Sequence, residues 1–325
     1  MGTKLVNISL EMKIVKMLCK INEYKGQQIL YKKQPKNVVS KTTDEAISNF
    51  VYDTYIDKFS DNKEKLIKLI NNEIKPSSRS EISVLEFRDV IKTVNSAYED
   101  IKLCSQTILE LHGYLHRYSL VRGGRYRDDE VNMEMNIENE IENICKRYYE
   151  LIEEGQVQDL IIIASFIIDF ILIAPFKEDN IKMAKILTLL LLNKSNYEIG
   201  RFNSLGEFFE AEKKIYFRNL FSRRGDFERE SYNMNKWLDY FLSFILNAYE
   251  DLSDSTNITA AKKETKTKRI EKVINSTLGY FTKDDIRNQC PDIPEPTINR
   301  VFNNLRKCGK IEVVAKGRSA KWKKR

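Results

Sequence analysis

The sequence is poor in the residues that interrupt helices and in those that build disulfide or zinc sites. Its 325 residues include 12 Gly and 6 Pro, which favours long helices joined by short loops. The five cysteines are scattered without a Cys-x-x-Cys pair, and only two histidines occur. We therefore expect a cytoplasmic protein without structural disulfides and without a zinc site.

Long apolar runs are also scarce. The most apolar stretch, residues 160–176, is at the short end for a membrane span and carries Asp169 in its middle. The N-terminus is charged and has no long apolar run, so it does not resemble a signal peptide. The sequence thus predicts a buried central helix and no membrane partner.

Positive charge is abundant at one end of the chain. Residues 261–325 hold 18 Lys/Arg and 7 Asp/Glu, a net charge of +11, whereas residues 1–260 have a net charge of −4. This asymmetry favours a polyanionic partner for the C-terminal part. A polar, Ser/Thr-rich segment separates the two parts. The predicted organisation is an N-terminal helical region at 1–95, a helical core at 96–252, a linker at 253–267 and a basic domain at 268–325.

The order of predicted elements in the basic domain is that of a winged helix-turn-helix. Three helical segments are followed by an alternating stretch around Lys316 that predicts a hairpin. The third helix has Ile298, Phe302 and Leu305 on its inward face, and such a helix enters the DNA major groove while the wing contacts the backbone or minor groove. The alternatives are a protein-docking module or a basic face that is only solvated. The predicted DNA-binding residues are Thr297, Asn299, Arg300, Asn303, Lys307, Lys316, Arg318, Lys321 and Lys323.

A polar break between two apolar helices carries the most informative motif, "APFKEDNIKMAK" at residues 174–185. It resembles the Fic signature H-P-F-x-[D/E]-G-N-G-R-x-x-R, from proteins of the Fido fold that transfer AMP from a nucleotide to a protein hydroxyl. Residues 25–35, 76–94 and 111–127, and the C-terminal part, resemble a Fic subgroup with a C-terminal winged helix. The resemblance implies an all-α Fic/Fido helical bundle with a small β-hairpin flap, followed by a winged helix-turn-helix domain.

The resemblance also implies a role for each position of the motif. ATP and Mg²⁺ are the implied cofactors, and Glu178 matches the acidic position that holds Mg²⁺. Ala174 stands where the family has its general-base His, and it has no titratable group. Asp179 and Ile181 replace two glycines that let backbone N–H groups approach phosphates. The nucleotide- or phosphate-binding positions by resemblance are Phe176, Glu178, Asn180, Lys182 and Lys185, of which the two lysines replace arginines and lose the bidentate fork.

Two further family features fall on recognisable stretches. "GGRYR", with Gly123, Gly124 and Tyr126, resembles the flap that holds a target peptide by strand addition; a plain turn is the alternative. The family's inhibitory motif, [S/T]-x-x-x-E-[G/N], matches Ser48 but has Tyr52 in place of its Glu. Residues 77–81 have the same spacing, but their surroundings resemble a later family segment.

These departures lead to competing hypotheses. The first is a catalytically impaired pseudoenzyme that regulates through a protein partner and a DNA-binding domain. The second is residual or altered AMP transfer that uses Glu178 and a metal. A structural role is the third, and a homodimer is compatible with each. A lone Ala174 would also suit a laboratory knockout, but two lost glycines and two Arg-to-Lys changes indicate natural degeneration.

Overall fold

The computed structural model describes residues 9–118, 123–128, 136–206, 234–256, 267, 270–271, 273–274, 280–290, 293–315 and 320–324. The chain divides into two compact units, Met1–Leu252 and Ser253–Arg325, which we call the body and the tail. The prediction of an all-α fold is confirmed, because the described residues form helices and a single two-stranded sheet, which lies in the tail. None of the described helices is long and apolar enough to cross a membrane.

The described part of the body is helical throughout. A 3₁₀ turn, Ile56–Phe59, follows α3. The helices are α1 (Met12–Gln27), α2 (Ile29–Lys32), α3 (Lys36–Tyr55), α4 (Lys63–Ile70), α5 (Arg79–Ala97), α6 (Ser105–Tyr114), α7 (Ile137–Glu154), α8 (Asp159–Ile173), α9 (Asn180–Lys194), α10 (Ile199–Phe202) and α11 (Met234–Thr256).

The most apolar segment of the sequence forms the centre of the body. Nearly every residue of α8 is buried, so this helix shows no polar face. It packs between α7 and α9, and Trp237 of α11 donates a 2.7 Å hydrogen bond to the Ala164 carbonyl. The turn that joins α8 to α9 is therefore held at both ends by buried helices.

That turn begins and ends in unusual backbone conformations. Ala174 closes α8 with φ 46°, and Asp179 precedes α9 with φ 61°. Both values lie in the left-handed region, which non-glycine residues adopt at some cost. Such strain persists only where surrounding contacts impose it.

In the described part of the tail, residues 267, 270–271 and 273–274 are helical, and two helices with fully described bounds precede the sheet. They are α12 (Lys283–Gln289) and α13 (Glu295–Lys307), followed by β1 (Ile311–Ala315) and β2 (Lys321–Lys324), which pair antiparallel. Thr282 and Asp285 form a capping box at the start of α12, as their three-residue spacing in the sequence predicts. Gly309, at φ 69°, follows the end of α13. The tail has its own core of Ile270, Ile274, Phe281, Ile286, Cys290, Ile293, Ile298, Val301, Phe302, Leu305, Ile311 and Trp322.

Three sequence predictions fall partly on residues that the structure does not describe. The helix α11 runs four residues into the predicted linker, and residues 257–266 lie outside the description. Residues 123–128 of the predicted flap form a bend without a strand, and most of the adjoining chain is not described. Residues 316–319, which contain Lys316 and Arg318, are also outside it.

Candidate functional site

The α8–α9 turn is closed by a side chain from its own helix. The Asn180 amide oxygen accepts a 2.9 Å hydrogen bond from the Phe176 N–H. The Asn180 amide nitrogen donates a 2.7 Å bond to the Phe176 carbonyl. Asn180, predicted to bind an anion, thus bridges the turn on the inside, and the Phe176 N–H already has an acceptor.

Phe176 belongs to the core of the body. Its side chain is buried and stacks on the His112 ring, with centroids 3.7 Å apart and planes 3° from parallel. The Tyr126 ring lies 5.6 Å away on centroids. The stacked rings join α6, the flap segment and the turn into one packed cluster.

Arg127 holds the turn from the flap segment. Its N–H donates to the Pro175 carbonyl at 2.9 Å, its Nε to the Ala174 carbonyl at 2.9 Å and its Nη2 to the Ile173 carbonyl at 3.3 Å. A guanidinium at a helix C-terminus also complements the helix dipole. Sequence reasoning missed this residue, although it is the last letter of "GGRYR".

The two flap glycines allow that segment to approach α6. A Cβ at Gly123 would lie 2.7 Å from the His112 carbonyl oxygen and 2.8 Å from the His116 Cβ. Gly124 has φ 74°, and its N–H donates to the His112 Nδ1 at 3.0 Å. The glycines at these positions are therefore explained by close packing within the body.

Tyr126, the third predicted flap residue, also points inward. Its hydroxyl lies 2.7 Å from the Ser105 hydroxyl. Burial raises the pKa of Tyr126 to about 12. The side chain therefore stays protonated and contributes to packing and hydrogen bonding inside the body.

The two lysines of the motif are occupied by neighbouring groups. Lys185 is 2% exposed, and its Nζ donates to the Thr54 hydroxyl at 3.0 Å and the Gly206 carbonyl at 2.9 Å. Lys182 Nζ donates to the Ser83 hydroxyl at 3.1 Å and lies 3.0 Å from the Asp179 carboxylate. Neither ammonium group projects freely toward solvent.

Asp179 lies between Lys182 and a buried histidine. Its second carboxylate oxygen is 3.5 Å from the Nε2 of His116. Burial lowers the pKa of His116, and burial together with the neighbouring His116 lowers the pKa of His112 to about 4. Neither histidine Nε2 has a hydrogen-bond partner among the described residues, although both are buried.

Glu178 is exposed to solvent on the turn. Its side chain is 58% exposed and lies 3.9 Å from the Arg79 guanidinium. The described residues contain no group of three or more His, Cys, Asp or Glu that could hold a metal. By the resemblance, Glu178 would hold Mg²⁺ together with phosphate oxygens.

These contacts test whether the motif suits a bound nucleotide. The Phe176 N–H, the Asn180 amide and both lysine ammonium groups already bind protein groups. Asp179 adds a carboxylate among them, which repels phosphate. With these contacts in place, the residues of the motif do not fit a nucleoside triphosphate.

The two candidate inhibitory stretches differ in their surroundings. Ser48 and Tyr52 lie half-buried on α3. In the alternative stretch, Glu81 caps α5 through the Ser77 N–H at 2.7 Å and pairs with Lys65 at 2.7 Å. Lys65 and Ser77 hold the pKa of Glu81 at about 2. The contacts of Glu81 with Ser77 and Lys65 are thus structural and involve neither motif lysine.

The tail presents a second candidate surface on α13. Arg300 and Asn303 are exposed and Thr297 is half-exposed, whereas Asn299 accepts a 2.6 Å hydrogen bond from Lys283. Lys321 and Lys323 of β2 are exposed, and Lys323 pairs with Glu312 at 3.0 Å. The side chain of Lys307, like residues 316–319, lies outside the description.

Comparisons of the sequence and of the structure with known proteins give different results. No family model and no curated protein matches the sequence. Solved structures do match. A Fic family protein from Desulfovibrio desulfuricans G20 is 14% identical, with a TM-score of 0.57 over 98% of this chain and 97% of that chain. The chain has the Fic fold.

Two more structures support that conclusion. A Fic domain containing signaling protein from Bacteroides thetaiotaomicron is 10% identical, with a TM-score of 0.52 over 73% of this chain and 98% of that one. Fic-1 from C. elegans is 15% identical, with a TM-score of 0.57 over 74% of this chain and 72% of its own. At such identities the likeness to Fic structures establishes the fold and leaves activity open.

Proposed function

We propose that this Fic-fold chain is a pseudoenzyme: a cytoplasmic regulator that does not transfer AMP and whose tail binds DNA. One observation carries the first half of the proposal. At the position of the family's general base stands Ala174, whose carbonyl oxygen accepts a hydrogen bond from Arg127. A methyl group takes no proton from a target hydroxyl, and loss of a general base typically costs about 10²–10⁴-fold in rate.

The neighbouring contacts support the same reading. The groups that would hold phosphates already bind other groups of the chain, and Arg127 donates to carbonyls at the end of α8 and in the turn. The five cysteines are free, in agreement with a reducing compartment. A protein that keeps the frame of such a site without its reactive groups is suited to bind a partner.

The decisive experiment is incubation of the full chain with labelled ATP and Mg²⁺ or Mn²⁺, with and without lysate proteins. We expect no label on this chain or on any protein. The informative variant combines Ala174→His, Asp179→Gly and Ile181→Gly, and it shows whether the fold still supports transfer. Label incorporated by the wild type would favour the second candidate, residual AMP transfer at the exposed Glu178, and would overturn the pseudoenzyme proposal.

The second half of the proposal rests on the charge and helices of the tail. We propose that α12, α13 and the β1–β2 hairpin act as a winged helix, with α13 in the major groove. Support comes from the net charge of +11 over residues 261–325 and from the exposed Arg300 and Asn303. A regulator with this tail could also act as a homodimer on a palindromic site, which light scattering would test.

Duplex binding at two salt concentrations tests the tail. Arg300→Ala should weaken binding by about 5- to 150-fold, because the loss of a base-reading arginine costs roughly 1–3 kcal/mol. Lys92→Ala, an exposed lysine of α5 in the body, is the matched control and should leave affinity unchanged. Equal losses in the two variants, or no duplex binding at low salt, would contradict DNA contact through α13.

A further inference from the structure

Asp179 places a carboxylate at the start of α9, where the helix dipole favours an anion. It directly precedes α9, a 15-residue helix whose first N–H groups form the positive end of the helix dipole. Its side chain makes no capping hydrogen bond to that helix. The carboxylate instead lies 3.0 Å from Lys182 Nζ and 3.5 Å from His116 Nε2.

The backbone at Asp179 indicates that the carboxylate is held there by its partners. With φ at 61°, this residue adopts a conformation that glycine reaches without cost and that aspartate and asparagine reach at a smaller cost than other residues. Since the side chain does not stabilise the helix start as a cap, the ion pair with Lys182 is what it gains. An internal ion pair thus compensates an unfavourable backbone.

The second observation is His116 itself. Its side chain is 5% exposed, and its Nε2 is directed at Asp179 but makes no hydrogen bond with any described residue. A buried ring nitrogen without a partner costs free energy. Such an atom beside a lysine and a helix start is suited to hydrogen-bond a bound anion.

The other groups around Asp179 come from three neighbouring elements. Helix α5 contributes Ser83, Arg79 and the buried Glu86, whose carboxylate accepts the Tyr118 N–H. Burial raises the pKa of Glu86. Helix α3 contributes the ring of Tyr55, 5.0 Å from Lys182 Nζ, and the turn contributes Glu178. The carboxylate of Asp179 forms the ion pair with Lys182.

We propose that Asp179 is an internal anion that fills a site for a phosphate-type ligand formed by Lys182, His116 and the start of α9. In the wild type the site is closed, because its cation is neutralised and a second anion would meet the carboxylate. Removing the carboxylate opens the site. This inference rests on the proposed function, in which the wild type does not use the turn to transfer AMP.

Inorganic pyrophosphate in metal-free buffer is the probe, and histidine signals report where it binds. The chain has two histidines, both in the body, so the full chain labelled with ¹⁵N-histidine and free of purification tags gives two imidazoles to follow by NMR. Asp179→Gly should bind pyrophosphate at least about tenfold more tightly than the wild type, because a like charge has been removed. The His116 signal should shift in the variant and stay fixed in the wild type.

Two further variants complete the test. Asp179→Gly with Lys182→Met should return to the wild-type affinity, and the basic tail, which is common to all variants, cancels in the comparison. Asp179→Asn removes the same charge and tolerates the left-handed conformation, so it replaces the glycine variant should that one fail to fold.

The outcomes separate this inference from the proposed function. A wild-type protein that shifts His116 with pyrophosphate, or charge-removed variants that gain no affinity, would overturn the internal anion while leaving the labelled-ATP result untouched. A gain that survives Lys182→Met would also overturn it. Label transferred by the wild type would instead overturn the proposed function, whatever the pyrophosphate affinities are.

Discussion

The α8–α9 turn of the body and the helix α13 of the tail are both polar and rich in charge, but they use their charges differently. In the first turns of α9, directly after this turn, Lys182 and Lys185 bind groups of the same chain, and Lys185 is 2% exposed. On α13, Arg300 and Asn303 are exposed. Charges that satisfy one another build structure, whereas exposed charges of one sign are available to a partner.

The comparison also shows why a match to the family's signature does not by itself make a functional site. The turn keeps the order of Pro, Phe, an acid, Asn and two cations, yet its amide and ammonium groups face inward. The tail has no comparable catalytic motif, but its surface retains the charge asymmetry of the sequence. Residue types set what a group can do, and contacts decide whether it remains available.

The largest effect should come from breaking the closed network at its most buried cation. Lys185→Met keeps the length of the side chain but leaves the Gly206 carbonyl and the Thr54 hydroxyl without their donor. We expect the body to lose about 3 kcal/mol of unfolding free energy, since a buried charged hydrogen-bond donor is removed. Arg300→Ala, an exposed cation of the tail, should stay within about 0.5 kcal/mol.

The unfolding of the body and that of the tail can be followed separately in one sample. The chain has two tryptophans, Trp237 in the body and Trp322 in the tail, and both are buried. Labelling with 5-fluorotryptophan gives one ¹⁹F signal for each unit during urea unfolding. If Lys185→Met leaves the urea midpoint of the Trp237 signal unchanged, the closed network does not stabilise the body.

Acid should weaken the body before it weakens the tail. In the folded body the pKa of His112 is about 4, whereas its ordinary value is 6.5. Between these pH values the unfolded chain binds a proton that the folded chain does not. The contribution is therefore complete above pH 6.5 and is lost as pH falls toward about 4, by about 2 kcal/mol after allowance for partial solvent screening.

The tail serves as the internal control for this pH dependence, because both histidines lie in the body. His112→Asn keeps an acceptor for the Gly124 N–H and removes the titrating ring. Its body should be less stable at every pH, through lost stacking on Phe176, but its stability curve should be flatter between pH 6.5 and 4. An equally steep curve in this variant would assign the acid sensitivity to other groups.

The parts that sequence predicted well depend on local chemistry. The capping box of Thr282 and Asp285, and the inward face of Ile298, Phe302 and Leu305, follow from spacing along one helix. The all-α Fic fold was indicated by the order of resembling stretches, and the solved structures confirm the fold.

The parts that sequence did not predict depend on distant groups. Arg127 reaches carbonyls 46 to 48 residues further along the chain, and Lys283 reaches Asn299 on another helix. Left-handed backbone at Ala174 and Asp179 contradicts residue preference and is imposed by tertiary contacts. The family signature indicated which residues to examine, and only the folded arrangement shows that their polar groups are already bound.

The smallest expected loss of unfolding free energy comes from a variant in the tail. Thr282→Ala removes the hydroxyl that accepts the Asp285 N–H at 3.1 Å, so the start of α12 loses its cap. We expect the Trp322 signal to report a loss of about 1 kcal/mol, with the Trp237 signal unchanged. Thr43→Ala is the matched control, because that hydroxyl bonds the Val39 carbonyl within α3 and contributes little. A simultaneous shift of the Trp237 signal would mean that the two units unfold together. The difference between the internally bound charges of the body and the exposed charges of the tail would then be a difference between surfaces of one cooperative unit.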